Sequence, residues 1–336
     1  MKSRIRFINR ISLFIIAALL IVPMTGFGEV QAKHLKFTTA VSENSTWQKG
    51  AEKFAELIKE RTNGKYVIDI YPSDQLTAGN QVKALEALQT GACDFDIRSI
   101  LLYTNLDPAF TSIMMPWLVP SFEAADAALS GPGGQKLADL VNKKGMVFMA
   151  FGEAGFRQIT NNVRPIHTPQ DLSDIKIRVP ALNMYFTMFE LFGANPTTMN
   201  MAEVFASIQQ RVVDGQENPV DTARSFKINE VCKYITLWNC SYDPIIMSAS
   251  PYAMNKLTEE EKVIFMEAAK EAMLFQKELS RSQYETILED FSTTMEITEL
   301  TDEQLNIFIE AAKPVYTEWV PKIGEEIMAD FGYKGE

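Results

Sequence analysis

The sequence is nearly without histidine and has little cysteine. Its two histidines, His34 and His167, lie far apart in the chain, which is poor material for a zinc site or for imidazole catalysis. The three cysteines, Cys93, Cys232 and Cys240, are an odd number, and that argues against a disulfide framework. Cys232 and Cys240 are either a pair or two small buried apolar side chains. Positive charge is also short, with 32 Lys and Arg against 43 Asp and Glu and a formal net charge of −11. Such a chain is not built to hold nucleic acid, and an anion would have to be held by local cations rather than by the overall field. Past the N-terminal stretch no run is apolar enough to cross a bilayer. No nucleophile elbow, phosphate loop or metal-ligand spacing is present, and neither are internal repeats or low-complexity tracts. Neither a metal nor a cofactor is expected.

What is present begins with an export signature. Lys2, Arg4, Arg6 and Arg10 precede an apolar run from Ile11 to Met24, and Val30-Gln31-Ala32 offers a cleavage site. The run is shorter than the ~20 residues of a spanning helix, so residues 1–32 are expected to be a signal peptide cut after Ala32, with the mature chain outside the cytoplasm, in the periplasm. Losing four bases and one acid with it would take the charge from −11 to −14. A length of 336 residues with 46% apolar and 22% charged side chains suits a globular protein of two lobes.

Periodicity then suggests an α/β fold. His34 to Val41 alternates as a strand. Ser45 and Thr46 offer N-caps to a helix carrying Trp47, Ala51, Phe54, Ala55 and Ile58 on one face, and Asn63-Gly64 stops it. Lys65–Tyr71, Asn80–Gln89 and Ala92–Ile97 continue as strand, helix and strand. A βαβαβ start implies a parallel sheet with ligand-binding loops at the strands' carboxyl ends. Met146–Phe151, Lys176–Pro180, Tyr234–Trp238 and Ile245–Ser248 read as further strands, and Met201–Gln210 as a helix left through Val212–Gly215. Thr258, followed by Glu259, Glu260 and Glu261, caps a helix running without Gly or Pro to about Asp290. At 1.5 Å per residue it is long enough to lie across both lobes. Helices from Asp302 to Ala312 and from Pro314 follow.

Two stretches carry candidate chemistry. In Gly152–Pro180, Arg157 follows a Gly-rich bend and Arg178 sits in a short strand between Ile177 and Val179. A guanidinium in a strand needs a partner, either a ligand carboxylate gripped by two parallel hydrogen bonds or an internal Asp or Glu. In Asp214–Pro219, DGQENP, the Asp-Gly pair signals a turn and Asn218 opens a loop, either to read a ligand oxygen or to hold the turn. Trp47, Trp117, Tyr185, Trp238 and Tyr242 are candidate pocket walls or core. Arg98, at the end of the third strand, is a second cation for a ligand or a partner of Asp94, Asp96 or Asp107.

These motifs, in this order, resemble the solute-binding subunits of tripartite ATP-independent periplasmic (TRAP) transporters, the DctP family. The resemblance covers the whole mature chain. It runs from Y-P-S-D-Q-L (Tyr71 to Leu76) and G-A-C-D-F-D (Gly91 to Asp96) through G-F-R-Q-I-T and K-I-R-V-P. It ends with L-F-G-A-N-P-T-T-M-N-M-A-E-V-F (Leu191 to Phe205) and V-V-D-G-Q-E-N-P (Val212 to Pro219). It implies a two-lobed periplasmic-binding-protein fold with the long helix spanning both lobes. Residues 33–153 plus about 245–280 would form lobe I, residues 154–244 plus about 281–313 lobe II, and 314–336 a C-terminal helical segment. It further implies that Arg178 clamps a ligand carboxylate, that Arg157 supports it and that Asn218 completes the pocket. Where members carry Asn directly after R-V-P, this chain has Ala181, with Asn183 two positions on. Met201 and Phe205 replace an aromatic and a Tyr in the segment that reads sugar groups.

The expected site is therefore Arg178, Arg157, Asn218, Arg98, Trp47, Asn183, Tyr242 and Glu153. The expected partners are a small organic acid (a dicarboxylate, a sugar acid, a 2-oxo acid or an aromatic acid) and TRAP membrane subunits, the chain itself being a monomer. An ABC-type binding protein and a ligand sensor for a receptor share this two-lobe logic. A secreted hydrolase would need a carboxylate pair among Glu153, Asp214 and Glu217, whose separation nothing in the sequence fixes.

Overall fold

The computed structural model describes residues 31–335, so the expected export signal lies, apart from its last two residues, outside the described residues. The chain opens as expected. Strand β1 (Lys33–Thr39), helix α1 (Thr46–Arg61), strand β2 (Tyr66–Tyr71), helix α2 (Gln81–Thr90) and strand β3 (Phe95–Ser99) place β1 between β2 and β3, all parallel. Helix α1 forms where the sequence announces it. The Ser45 hydroxyl accepts from the Trp47 N–H, Lys59 and Arg61 sit in the last turn, and Trp47, Ala51, Phe54 and Ile58 are buried on one face. Helices α3 (Phe122–Ser130) and α4 (Pro132–Lys143) follow a run of 3₁₀ turns.

Strand β4 (Val147–Asn161) is then fifteen residues long. The short strand and Gly-rich bend expected around residue 152 are replaced by one strand with a register shift between Glu153 and Gly155. A bulge gives a strand the kink a bend would have given without ending its pairing. A Cβ at Gly152 would stand 2.2 Å from the Met273 methyl, 2.6 Å from the Gln276 side-chain oxygen and 3.0 Å from the Ile245 side chain, so a larger residue would have to displace these side chains. Strand β5 (Lys176–Val179), helix α5 (Asn183–Leu191), strand β6 (Asn195–Thr198) and helix α6 (Met201–Gln209) lead to strand β7 (Gly215–Pro219). The Asp-Gly turn signal is thus only the entry to a strand. All five residues of β7 are buried, so Asn218 stands in a sheet and not at a loop opening. Helix α7 (Val220–Ser225), strand β8 (Tyr234–Leu237), strand β9 (Tyr242–Ala249) and helix α8 (Pro251–Met254) complete this part.

The sheet order is β2-β1-β3-β9-β4-β7-β5-β6, with β8 on the far part of β4. β4 pairs with β9 over its first part and with β7 and β8 over its second. One strand therefore belongs to a sheet at each end. Helix α9 (Glu259–Ser292) starts from a capping box in which Thr258 and Glu261 exchange hydrogen bonds. Its 34 residues span about 51 Å. Phe265, Ala268, Ala269, Ala272 and Met273 join the core of Phe37, Phe54 and Phe95, while Ile287 and Phe291 join that of Val204, Ile208 and Ile235. Strand β10 (Glu296–Glu299), which the alternation of so short a segment did not reveal, adds to β8 in parallel. Helices α10 (Asp302–Ala311), α11 (Lys313–Ile323) and α12 (Glu325–Asp330) follow. Among the described residues no helix is long and apolar enough to cross a membrane.

Cys93, Cys232 and Cys240 are free and buried. Burial pushes the Cys93 and Cys232 thiols up to about 12 and Cys240 higher still, so all three are held as unreactive thiols. Ellman's reagent should titrate none of them in the native protein and three after denaturation without reductant. A count of one in the denatured protein would mean that Cys232 and Cys240 pair.

Candidate functional site

A cavity opens at the carboxyl ends of the parallel strands. Ala40 and Val41 follow β1, and Ser99, Leu101 and Leu102 end or follow β3. Arg178 and Pro180 end β5, and Asn218 and Thr222 end β7 or follow it. Loops gather there because parallel strands joined by helical crossovers all point the same way. Trp47 of α1, Gln81 of α2, Met201 of α6, Phe226, Arg157 and Asp243 close the wall. The space that admits the centre of a water molecule is about 40 Å3.

Arg157 on β4 faces an acid-rich surround. It pairs with Glu217 of β7, its Nη1 donates to Asp243 of β9, and its Nη2 donates to the Glu217 carbonyl, to Glu217 Oε1 at 2.9 Å and to Asn218 Oδ1 at 3.0 Å. The register explains the first pair. Arg157 stands opposite Pro219, so Glu217 is its diagonal neighbour across the antiparallel ladder. Burial pushes Glu217 and Asp243 upward while the Arg157 charge pulls them back, and the two carboxylates together hold Arg157 firmly protonated.

Arg178 on β5 is the opposite case. It is 1% exposed, and among the described residues no carboxylate lies within ion-pair distance of it. Its Nε and Nη2 both donate to one acceptor, the Met199 carbonyl, at 3.0 and 2.8 Å. Desolvation without a paired anion brings its guanidinium down to about 10. A buried cation in this state favours any anion that can reach it.

The remaining expected residues divide. Trp47 borders the cavity and its indole N–H, buried, has no acceptor. Arg98 does not reach the cavity. Its Nη2 donates to Asp74 and Asp96, both at 2.6 Å, so the ion-pair alternative holds there. Tyr242 and Glu153 are bonded to each other at 2.9 Å, and Glu153 also holds Arg281. They serve the junction of β4, β9 and α9. Asn183 is exposed at the start of α5 and borders none of the cavity. Trp117 and Trp238 stack edge-on with Phe308 nearby, and Tyr185 lies under the Arg157 guanidinium. Glu217 is engaged by Arg157, and Asp214 accepts from the Lys176 N–H, so neither belongs to a hydrolytic pair. Asp243 was missed, although a lone carboxylate beside the apolar run Ile245–Met247 is a signal that some cation must meet it. Gln81, Ser99 and Thr222 carry no signal beyond their places at element ends.

Above the cavity the two halves touch. Asp221 of α7 accepts from Ser45 Oγ at 2.7 Å and from the Thr46 N–H and hydroxyl at 3.2 and 3.1 Å, capping the start of α1 with a buried carboxylate. The Ser42 hydroxyl donates to the Ser225 carbonyl at 2.7 Å, and Gln81 accepts from the Met201 N–H at 3.4 Å.

Residues 37–322 match the DctP family, described as bacterial extracellular solute-binding protein, family 7. The 2,3-diketo-L-gulonate-binding periplasmic protein YiaO of Escherichia coli (strain K12) is 29% identical over 274 residues, 81% of this chain and 83% of that protein. A TRAP periplasmic solute-binding protein from Ralstonia eutropha H16 with bound (S)-2-acetolactate superposes with a TM-score of 0.86 at 30% identity, covering 89% of this chain and 97% of that one. Another from Sulfurospirillum deleyianum with bound succinate gives a TM-score of 0.84 at 30% identity, covering 89% and 98%.

The two buried arginines should respond differently to removal. Arg157→Met strands two buried carboxylates and should cost about 3–5 kcal/mol of stability. Arg178→Met removes an unpaired cation and leaves one carbonyl short of a donor, a cost of about 1–3 kcal/mol at most. Urea unfolding of the ligand-free variants measures both. Equal losses would mean that the two guanidiniums play the same structural part.

Proposed function

Because the chain belongs to the DctP family, the bacterial extracellular solute-binding proteins of family 7, we propose that it captures a small organic acid through Arg178 and delivers it to TRAP membrane subunits. The compared members of the family are solute-binding proteins, not enzymes. What 2,3-diketo-L-gulonate, succinate and (S)-2-acetolactate have in common is a carboxylate. The single observation that carries the reading to this chain is the buried Arg178 guanidinium with no anionic partner among the described residues. A carboxylate accepts two parallel hydrogen bonds from such a fork and neutralises it in one step.

Arg157 supports this clamp at one remove. Its two carboxylates are satisfied and its Nη2 fixes Asn218, so the polar floor under a ligand is held rigid without a second free charge. Capture is a closure event. Arg178 and Asn218 come from one half of the wall and Trp47, Leu101 and Leu102 from the other. A ligand that touches both halves favours the closed state by its differential affinity. The Asp221 contacts with Ser45 and Thr46 hold that state once it forms. Export by the N-terminal signal, action outside the cytoplasm and a monomeric state belong to the same reading.

Arg178→Ala should lose about 2–5 kcal/mol of binding free energy in calorimetry, and Arg178→Lys should recover little of it, since a point charge cannot replace the fork. Near-wild-type affinity in Arg178→Ala would reject the clamp. The acid that most raises the melting temperature in a thermal-shift panel should also shrink the radius of gyration of the wild type in solution scattering. It should leave Arg178→Ala unchanged at the same concentration. A scattering profile that saturating acid does not alter would reject closure.

A further inference from the structure

The cavity's chemistry is more selective than the carboxylate clamp alone. Three arginines lie near the carboxyl ends of the strands, but among the described residues Arg178 alone of the three has no carboxylate partner. Arg157 is neutralised by Glu217 and Asp243, and Arg98 by Asp74 and Asp96. A second ligand carboxylate would find no cation free of carboxylates among the lining residues and would enter a wall that already carries the acid Asp243. Buried charge without a partner is strongly unfavourable.

The uncharged polar groups are few as well. Asn218 is engaged by Arg157 and Gln216, and the Ser99 hydroxyl donates to Asp243 at 2.6 Å while accepting from the Leu101 N–H. Among the described residues, two that border the cavity each carry a buried polar atom with no partner, the indole N–H of Trp47 and the hydroxyl of Thr222. Trp47 is 4% exposed and Thr222 is 5% exposed. An unpartnered buried donor is costly, and an indole N–H can only donate, so it calls for an acceptor oxygen. Gln81 also borders the cavity, its side-chain oxygen accepting from the Met201 N–H, and the rest of the wall is mostly apolar, formed by Val41, Leu101, Leu102, Met201 and Phe226 around the ring of Trp47. The space open to the centre of a water molecule is only about 40 Å3, far below the about 300 to 1,000 Å3 of most small-molecule sites, so the cavity in this state suits a short ligand.

We propose that the preferred ligand is a short 2-oxo or 2-hydroxy monocarboxylate with an apolar chain, bound in preference to dicarboxylates and sugar acids. The proposal rests on the reading that Arg178 receives a carboxylate. The carboxylate faces Arg178, the oxo or hydroxyl oxygen accepts from Trp47, and Thr222 serves whichever oxygen it reaches. The alkyl chain lies against Leu101, Leu102 and Phe226. A sugar acid would bury several hydroxyls against these side chains with nothing to bond them.

Calorimetric titration of the full mature chain with named acids tests this. Affinity should rise about fourfold per added methylene from pyruvate to 2-oxobutanoate to 2-oxopentanoate. Succinate, malate and galactonate should each bind at least about tenfold more weakly than 2-oxopentanoate. The wild type should prefer 2-oxopentanoate to pentanoate by about tenfold, and Trp47→Phe, which keeps an aromatic ring and removes the N–H, should bring that preference close to parity. Succinate or galactonate binding more tightly than every monocarboxylate would overturn the inference while the clamp stands. An unchanged 2-oxo preference in Trp47→Phe would overturn the part given to the indole. Binding of no acid, or binding that survives Arg178→Ala, would overturn the clamp and this inference with it.

Discussion

Arg157 reaches from β4 to Glu217 on β7 and to Asp243 on β9, so one guanidinium pins three strands where the two sheets meet. The cluster is buried, and its cohesion depends on all three charges being present, because removal of one leaves the others in a medium that cannot solvate them. Its electrical balance matters as much as its cohesion. Two acids meet one base, and the base is fully occupied. The neighbouring Arg178 shares the same wall, yet it is left with one carbonyl for company. The protein thus keeps one cation neutralised and holds a second one open.

Two continuous elements give this cluster its setting. β4 passes from one sheet into the other without a break, and α9 runs about 51 Å beneath both. They are fastened to each other at the crossing by Gln276, whose amide donates to the Glu153 carbonyl at 2.7 Å and accepts from the Glu153 N–H at 2.9 Å. Arg281 adds its pairs with Glu153 and Asp126 one turn further on. In the closure proposed above, the contacts around Asp221, Ser42 and Gln81 would be among those broken on opening.

Local signals were read well where they are local in origin. The Ser45 cap, the Thr258–Glu261 capping box and the βαβαβ opening depend on residues within a few positions of one another, and all lie where the sequence puts them. The readings that failed concern segments whose partners are distant. Gly152–Gly155 looks like a bend, but pairing with β9 keeps it in a strand and turns the irregularity into a bulge. Asp214-Gly215 looks like a turn leading to a loop, but β4 and β5 on either side make Gly215–Pro219 a central strand. Turn propensity is a weak local preference, and two ladders of hydrogen bonds exceed it.

The sequence by itself determined the class of the fold, the caps and lengths of its main helices, the order of motifs that marks the family, and the presence of a guanidinium in a short apolar strand. It could not say which arginine would be free. Arg98, Arg157 and Arg178 all stand in or beside strands, and each had carboxylates at some distance in the chain. The pairing of β4 with β7 and β9 brings Glu217 and Asp243 to Arg157, the turn after β2 brings Asp74 to Arg98, and among the described residues no acid comes within ion-pair distance of Arg178. Charge neutralisation acts over a few ångströms between residues up to 86 apart in sequence, so the tertiary structure decides where the unpaired charge, and with it the candidate site, is left.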